Sequence, residues 1–264
     1  MKFLIILFFA FISLEATEYY SKAEPKELFK IKSAVNGEVV FVDDSFEGRD
    51  SNGVVIVKID DKIDRADLIA SKQKLKFLNT NISLMRESLA NSKKVADINS
   101  DNYNRVKNLN SYSKTQKDTK LLAMINAKNS YITLRTSLEN LKTQKEDLIL
   151  KIKTLKDRID KKNIEVKKGK YIYKIYPRTG DYLNPGSPIL DAYDTSAAKL
   201  VIFVPFDDLK DLKEKQIYLD GKKSRYKIDK IWKVADTQNI SSYRVEILID
   251  RPKQFSKLVK IEFK

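Results

Sequence analysis

Side chains that could carry out covalent or metal chemistry are scarce in this sequence. Its 264 residues include no cysteine and no histidine, so disulfide bonds, thiolate zinc sites and imidazole-based catalysis or metal binding are excluded. The methionines are Met1, Met85 and Met124, which leave no thioether cluster for copper or silver. We therefore expect no soft-metal binding by this chain.

The composition indicates a large exposed surface. Apolar residues make up 42% of the chain and charged residues 33%, a balance that favours an elongated molecule over a single sphere. The net charge of +15 arises from basic residues that are interleaved with acids along the whole chain. No nucleic-acid-binding motif accompanies them, so we expect no nucleic-acid partner and interpret the charge as mainly a solvated surface.

The N-terminus has the pattern of an export signal. Lys2 is followed by an apolar run from Phe3 to Ile12 and by the small residue Ala16. This run is too short to span a bilayer as a stable helix. The pattern predicts a signal peptide at residues 1–16 and an exported chain, with an uncleaved membrane anchor as the alternative.

Two long segments carry a seven-residue apolar repeat. Neither contains an interior glycine or proline, so the repeat predicts two coiled-coil helices of about 45 residues, or ~70 Å each. The repeating residues are Leu68, Leu75, Ile82, Leu89, Ala96 and Tyr103 in the first segment and Leu134, Leu141, Leu148 and Leu155 in the second.

A short polar break separates the two repeats. The stretch "NLNSYSKTQKD" spans residues 108–118. Asn110 can adopt the left-handed conformation that ends a helix, and Ser113 with Gln116 forms a capping box that begins the next one. Equal arms around a short turn predict an antiparallel helical hairpin over residues 62–168, with its tip near 108–116.

The ends of this hairpin differ in the expected packing. The polar residues Ser92 and Asn99 occupy interior positions of the repeat near the tip, so the tip end is expected to be looser. At the other end, Lys167 and Lys168 followed by Gly169 predict the end of the second helix.

Strand-like segments lie on both sides of the hairpin. Val35–Val42 and Val54–Ile59 precede it, joined across a segment that ends in the turn dipeptide Asn52-Gly53, and Tyr171–Tyr176 and Ile189–Leu190 follow it. Each flank alone has too few strands to bury a core. Because a hairpin returns the chain to its starting point, we expect the flanks to form one β domain that is split by the helices.

The flanks resemble the two halves of a lipoyl-like (biotinyl-lipoyl) domain. The stretch "GDYLNPGSPIL", residues 180–190, is similar to the second half, and Val35-x-Gly37-x-Val39 is similar to the opening strand of the first. A lipoyl-like domain interrupted by a helical hairpin, behind an export signal, resembles the periplasmic adaptors, or membrane fusion proteins, of the HlyD type. The stretch "AKLVIFVPFDDL" and the β-rich runs after it resemble the adaptor β-barrel.

The resemblance implies an elongated α+β fold. Its parts are a signal peptide at 1–16, a lipoyl-like domain at 31–61 plus 169–194, a coiled-coil hairpin at 62–168 and a small β-barrel domain at 195–264. Many adaptors add a membrane-proximal domain, which we do not expect here, because few residues lie between the predicted signal peptide and the first predicted strand and the sequence ends in the strand-like "LVKIEFK".

The resemblance further assigns a docking site to the hairpin tip. Adaptors of this type commonly place an Arg, a Leu four residues later and a Ser beyond at the tip that meets the outer-membrane channel. Arg105 and Leu109 keep this spacing, while Ser113 follows after a shorter interval than is usual. The alternative interpretations are a solvated Arg105, a Leu109 that ends the helical seam and a Ser113 that only caps a helix.

The function implied by the resemblance is that of a non-enzymatic periplasmic adaptor subunit of a tripartite efflux or export system. An adaptor of this kind is expected to have no catalytic residue, no metal site and no cofactor. Its expected partners are an inner-membrane transporter of the RND or ABC type, a TolC-like outer-membrane channel and further copies of itself in a ring. The chain would lie in the periplasm and associate with the inner membrane through its transporter. Drugs, bile-like amphiphiles and peptides are the alternatives for the transported substrate.

Three other functions compete with this interpretation. An exported coiled-coil scaffold or regulator acting at the cell wall is the principal alternative, although it would not need the split "VNGEVV" and "GDYLNPGSPIL" pair. A biotin or lipoyl carrier would need a lysine where the helical insertion stands. A cytosolic nucleic-acid-binding coiled coil would fit the charge but not the N-terminal "MKFLIILFFAF".

Overall fold

The structure, a computed structural model, describes residues 17–236, 238–239 and 241–264. The predicted signal peptide at residues 1–16 lies outside the described residues. The described chain forms two compact units, one from residues 17–58 with Ile164–Lys264 and one from Ile59–Asn163. We call them the strand unit and the helical unit.

The helical unit is an antiparallel pair of helices, as predicted. Helix α1 spans Lys62–Val106 and helix α2 spans Lys114–Lys161. Neither of these helices has a stretch apolar enough to cross a lipid bilayer.

The seam between the helices is apolar, as the seven-residue repeat predicts. Side chains from both helices form one buried cluster, with Met85 packed against its edge. The buried members of the cluster are Leu78, Ile82, Leu138, Leu148 and Ile152.

The predicted end of the second helix is wrong by several residues. Helix α2 ends at Lys161, where the Asn163 side-chain amide donates a hydrogen bond of 2.8 Å to the Ile159 carbonyl. The next residues form a short strand, and Gly169 lies in a turn with φ of +81° instead of capping the helix. Burial of Ile164 and Val166 stabilises this extended conformation. The lysines near the predicted helix end do not indicate that burial.

Thirteen strands occur in the part of the chain that the structure describes. They are β1 (Thr17–Lys22), β2 (Glu24–Lys32), β3 (Gly37–Val42), β4 (Val55–Ile59), β5 (Asn163–Glu165), β6 (Lys170–Ile175), β7 (Tyr182–Leu183), β8 (Pro188–Pro205), β9 (Ile217–Leu219), β10 (Lys222–Lys223), β11 (Ile228–Ile231), β12 (Ser242–Asp250) and β13 (Leu258–Phe263).

These strands form three sheets. Their orders are β1-β13-β9-β10, β11-β12-β8-β2 with β6 also paired to β8, and β5-β4-β3-β7. The β3 and β7 pair joins the two predicted halves directly, since Gly37 lies opposite Leu183. A β domain interrupted by a helical hairpin is therefore confirmed.

Strand β8 runs through the predicted boundary between residues 194 and 195. Its first part pairs with β2 and β6, and its second part pairs with β12, all antiparallel. Along the second part the buried residues alternate, with Ala198, Leu200, Ile202 and Val204 facing the barrel core. One strand thus continues from the lipoyl-like part into the barrel, and the chain does not break at this point.

The β structure begins well before the predicted first strand. Strand β1 pairs with β13 from Thr17 opposite Phe263 to Lys22 opposite Leu258. The Tyr19 ring meets the Phe263 ring edge to face at 5.9 Å. The sequence "TEYYSK" is too polar to predict a strand, because its stability comes from pairing with the other end of the chain.

Candidate functional site at the hairpin tip

The turn between the helices is built from short-range backbone hydrogen bonds. After α1 ends, Lys107 keeps helical dihedral angles (φ −53°, ψ −33°). The Leu109 N–H donates to the Val106 carbonyl at 3.0 Å, and the Tyr112 N–H donates to the Leu109 carbonyl at 3.4 Å. Each of these hydrogen bonds joins residues three positions apart, as in a 3₁₀ turn. Together they satisfy the Val106 and Leu109 carbonyls and reverse the chain direction.

The predicted left-handed conformation of Asn110 is wrong. Positive φ occurs at four non-glycine residues among those described, and Asn110 is not one of them. The hydrogen-bonded turn that follows Val106 already ends α1, so a residue in the left-handed conformation is not needed as a cap.

The predicted capping box at the start of α2 is confirmed. The Gln116 N–H donates to the Ser113 hydroxyl oxygen at 3.3 Å, and the Ser113 N–H donates to the Gln116 side-chain oxygen at 2.9 Å. Ser113 therefore fixes where the second helix begins.

The three predicted docking residues fall within nine consecutive positions of this turn. Arg105 lies in the last turn of α1, is exposed, and forms no ion pair with any residue that the structure describes. The Leu109 side chain is 46% exposed, whereas Val106 is 8% exposed and packs inward. An unpaired guanidinium and a half-exposed leucine are thus available to a partner.

The tip also contains an exposed aromatic residue that the sequence analysis did not select. Tyr112 is 38% exposed and is bonded through its backbone to Leu109. A lone tyrosine in a polar turn was the signal that could have identified it, since tyrosine is enriched in binding surfaces. Residues 101–118 contain four basic and two acidic side chains, so the tip is electropositive.

An ionic cluster closes the opposite end of the helical unit. The buried Asp64 accepts a hydrogen bond of 3.2 Å from Arg158, and Lys162 Nζ lies 2.6 Å from its other carboxylate oxygen as an ion pair. The Lys162 ammonium also donates to the Asp60 carbonyl at 2.6 Å. These bonds join α1 to the end of α2 and fix the register of the two arms.

Comparison with known proteins identifies the fold. No family model matches the sequence, and no curated protein matches it. Among solved structures, MacA from Actinobacillus actinomycetemcomitans superposes with a TM-score of 0.61 at 14% identity, over 94% of this chain and 78% of that one. The membrane fusion protein Spr0693 from Streptococcus pneumoniae R6 gives 0.58 at 12% identity, over 94% and 98%.

A third structure extends this likeness. A MacA-MexA chimera that contains the Pseudomonas aeruginosa MexA α-hairpin domain gives a TM-score of 0.56 at 12% identity, over 94% of this chain and 81% of that one. All three superpositions include the strands and the helical hairpin, because they cover nearly the whole described chain. The chain therefore has the fold of the membrane fusion proteins, also called periplasmic adaptors.

Proposed function

We propose that this protein is a non-enzymatic periplasmic adaptor that links an inner-membrane transporter to a TolC-like outer-membrane channel. The observation that carries the proposal is the hairpin tip, where an exposed Arg105 and a half-exposed Leu109 lie on a fold shared with membrane fusion proteins. The cargo would pass through the assembled complex, so the adaptor itself performs no chemistry on it.

The tip side chains have complementary roles in docking. The Arg105 guanidinium can donate several hydrogen bonds in a fixed plane to a carboxylate or to carbonyls at the end of a partner helix. Leu109 supplies apolar contact area, and the positive charge of the tip favours an acidic partner surface. The Ser113 hydroxyl accepts from the Gln116 N–H, so its proton and its second lone pair are free for a partner.

The remaining parts of the proposal concern assembly. The strand unit would contact the transporter, and several copies would form a ring around the export path at the surface of the inner membrane. The fold shared with membrane fusion proteins supports this arrangement.

The proposal is tested by changing the tip without unfolding the helices. Arg105→Asp and Leu109→Asp are each expected to abolish export of the cargo, because each places a negative charge in the docking surface. Arg86→Asp and Leu84→Asp are matched controls, since both residues are exposed in the middle of α1. The readout is the growth of a deletion strain, complemented with each variant, in the presence of toxic export substrates.

The outcomes separate the proposal from its alternatives. Loss of tolerance in the tip variants alone, with unchanged helical circular dichroism, supports docking at the tip. Full tolerance in both tip variants contradicts it and favours a scaffold that acts without an outer-membrane partner.

A further inference from the structure

A groove of about 760 Å³ lies on the strand unit. One wall comes from strands β2, β6 and β8, and the other comes from the loop that follows β12. Its volume falls within the range of small-molecule sites in proteins. Its lining combines aromatic rings with cations, which the proposed docking function does not use.

Aromatic side chains form the first wall by strand pairing. Leu28 and Tyr171 both lie directly opposite Tyr193, so the three side chains project from the same face of the sheet. The pairing of β6 with β8 is irregular between Ile172 and Lys174, where Tyr173 is the extra residue. The Tyr173 ring contacts the Tyr193 ring edge to face at 5.6 Å, yet Tyr173 is 57% exposed.

The second wall is a loop that is held in place by backbone hydrogen bonds. Ser256 has a positive φ of 63°, an unfavourable conformation for a residue with a side chain. Its N–H donates to the Ala23 carbonyl at 2.9 Å, and the Ala23 N–H donates to the Lys257 carbonyl at 2.9 Å. This two-sided tether positions Phe255 and Ser256 along the groove before any ligand arrives.

The groove has an excess of positive charge. Lys22, Lys199 and Arg251 line it, and Glu24 is the acidic side chain in the lining. Among the described residues, neither Lys22 nor Lys199 forms an ion pair, and the Arg251 guanidinium has only a 3.9 Å contact to Asp50. The cations are therefore available to an incoming anion.

The Tyr193 hydroxyl remains protonated at neutral pH. Burial, followed by the negative charge of Asp191, raises the pKa of Tyr193. A protonated phenol can donate a hydrogen bond, which adds a second kind of recognition for an anionic group.

We propose that this groove binds an amphiphilic anion with a flat aromatic or polycyclic body and one carboxylate or sulfonate. The ligand body would stack on the tyrosine rings, and the anionic group would pair with the lysines and the arginine. The same three cations would repel a cationic amphiphile. The proposal goes beyond the adaptor function and does not depend on it.

The test uses two fluorescent probes that differ by one sulfonate group. The full-length protein is titrated with 8-anilinonaphthalene-1-sulfonate and with N-phenyl-1-naphthylamine, which has the same rings without the sulfonate. We expect saturable binding of the sulfonate at one site per chain, at least tenfold tighter than that of the neutral probe. Such a ratio is what one desolvated charge pair contributes.

Variants locate the binding site. Tyr173→Ala is expected to weaken both probes about fivefold through loss of ring stacking. Lys22→Gln should weaken only the sulfonate. The matched controls are Tyr182→Ala, which is 63% exposed and lies outside the groove lining, and Lys227→Gln, which is exposed and also lies outside it.

Each outcome decides the proposal. Equal affinity for both probes, absence of saturable binding, or loss of affinity in the controls equal to that in the groove variants would overturn it. Adsorption to exposed apolar residues of the hairpin would survive both groove variants and would also overturn it. Arg105→Asp should keep the sulfonate affinity, so a failure of the docking proposal leaves this one standing.

Discussion

The proximal and distal halves of the helical hairpin carry the same seven-residue repeat but differ in how much of it is buried. We define the proximal half as residues 62–89 with 138–161 and the distal half as residues 90–137. Val106 is the single buried side chain in the distal half. The buried side chains of the proximal half are Asp64, Ser71, Leu78, Ile82, Leu138, Leu148, Ile152, Leu155 and Ile159.

The difference follows from the residue types at the interior positions. In the distal half, Ser92, Ala96 and Asn99 supply small or polar groups where the proximal half has leucine and isoleucine. The seven-residue repeat therefore determines which faces of the two helices meet. It does not determine how much apolar surface their contact buries. A firmly packed proximal half can hold the arms in register, while a weakly packed distal half can adjust to a partner.

The two halves should differ most in the unfolding free energy that is lost when a leucine is truncated. Leu148→Ala should lower the free energy of unfolding by about 2–3 kcal/mol, because it leaves a cavity in the proximal seam. Leu122→Ala in the distal half should change it by less than about 0.5 kcal/mol, since Leu122 is 59% exposed. Urea unfolding followed by helical circular dichroism measures both, and equal losses would remove the distinction.

The ionic cluster provides the second comparison. Asp64→Asn leaves Lys162 without its buried partner and should cost about 2 kcal/mol, below the ~3–5 kcal/mol of a fully buried pair because Arg158 can reach water. Asp157→Asn removes the exposed pair with Lys161 and should change stability by under ~0.5 kcal/mol. A cost for Asp64→Asn as small as that of the control would mean that the cluster does not fix the register.

A smaller effect is expected at the start of α2. Ser113→Ala removes the hydroxyl that accepts the Gln116 N–H and should cost about 1 kcal/mol. Ser111→Ala, in the same turn but with no side-chain hydrogen bond among the described residues, should be nearly neutral. The same unfolding measurement applies, and equal stability of the two variants would show that the capping box contributes nothing.

The smallest effect is expected from a substitution that improves packing in the distal half. Asn99→Leu places an apolar side chain at an interior distal position and should stabilise the hairpin by at most about 1 kcal/mol. Hydrogen exchange should then slow at distal amides and stay unchanged at proximal ones. Asn91→Leu, at an exposed position, should leave exchange as it is, and slower exchange in both variants would point to helix propensity instead of seam packing.

The repeat and the capping chemistry were sufficient to predict the hairpin. Ser113 and Gln116 lie three residues apart, so their pairing depends only on local geometry and the structure confirms it. The end of α1 was less predictable, because Asn110 can adopt a left-handed or a right-handed backbone conformation. The backbone hydrogen bonds around Leu109 end the helix without a left-handed residue at Asn110.

Features that depend on contacts between distant residues were not predictable. The pairing of Asp64 with Arg158 spans 94 positions and requires the register of both arms. Strand β1 depends on β13 at the other end of the chain, and the continuity of β8 depends on neighbours from three strands. The groove around Tyr193 arises from such pairings and has no local motif.

Photo-crosslinking from the hairpin tip in living cells tests the adaptor account most directly. A photoreactive phenylalanine analogue is placed at Leu109 and, as a control, at Phe77, which is 70% exposed in the proximal half. We expect mass spectrometry to identify an outer-membrane channel protein crosslinked from position 109 and not from position 77. Identification of no channel protein from position 109, or of the same channel from both positions, would contradict docking at the tip.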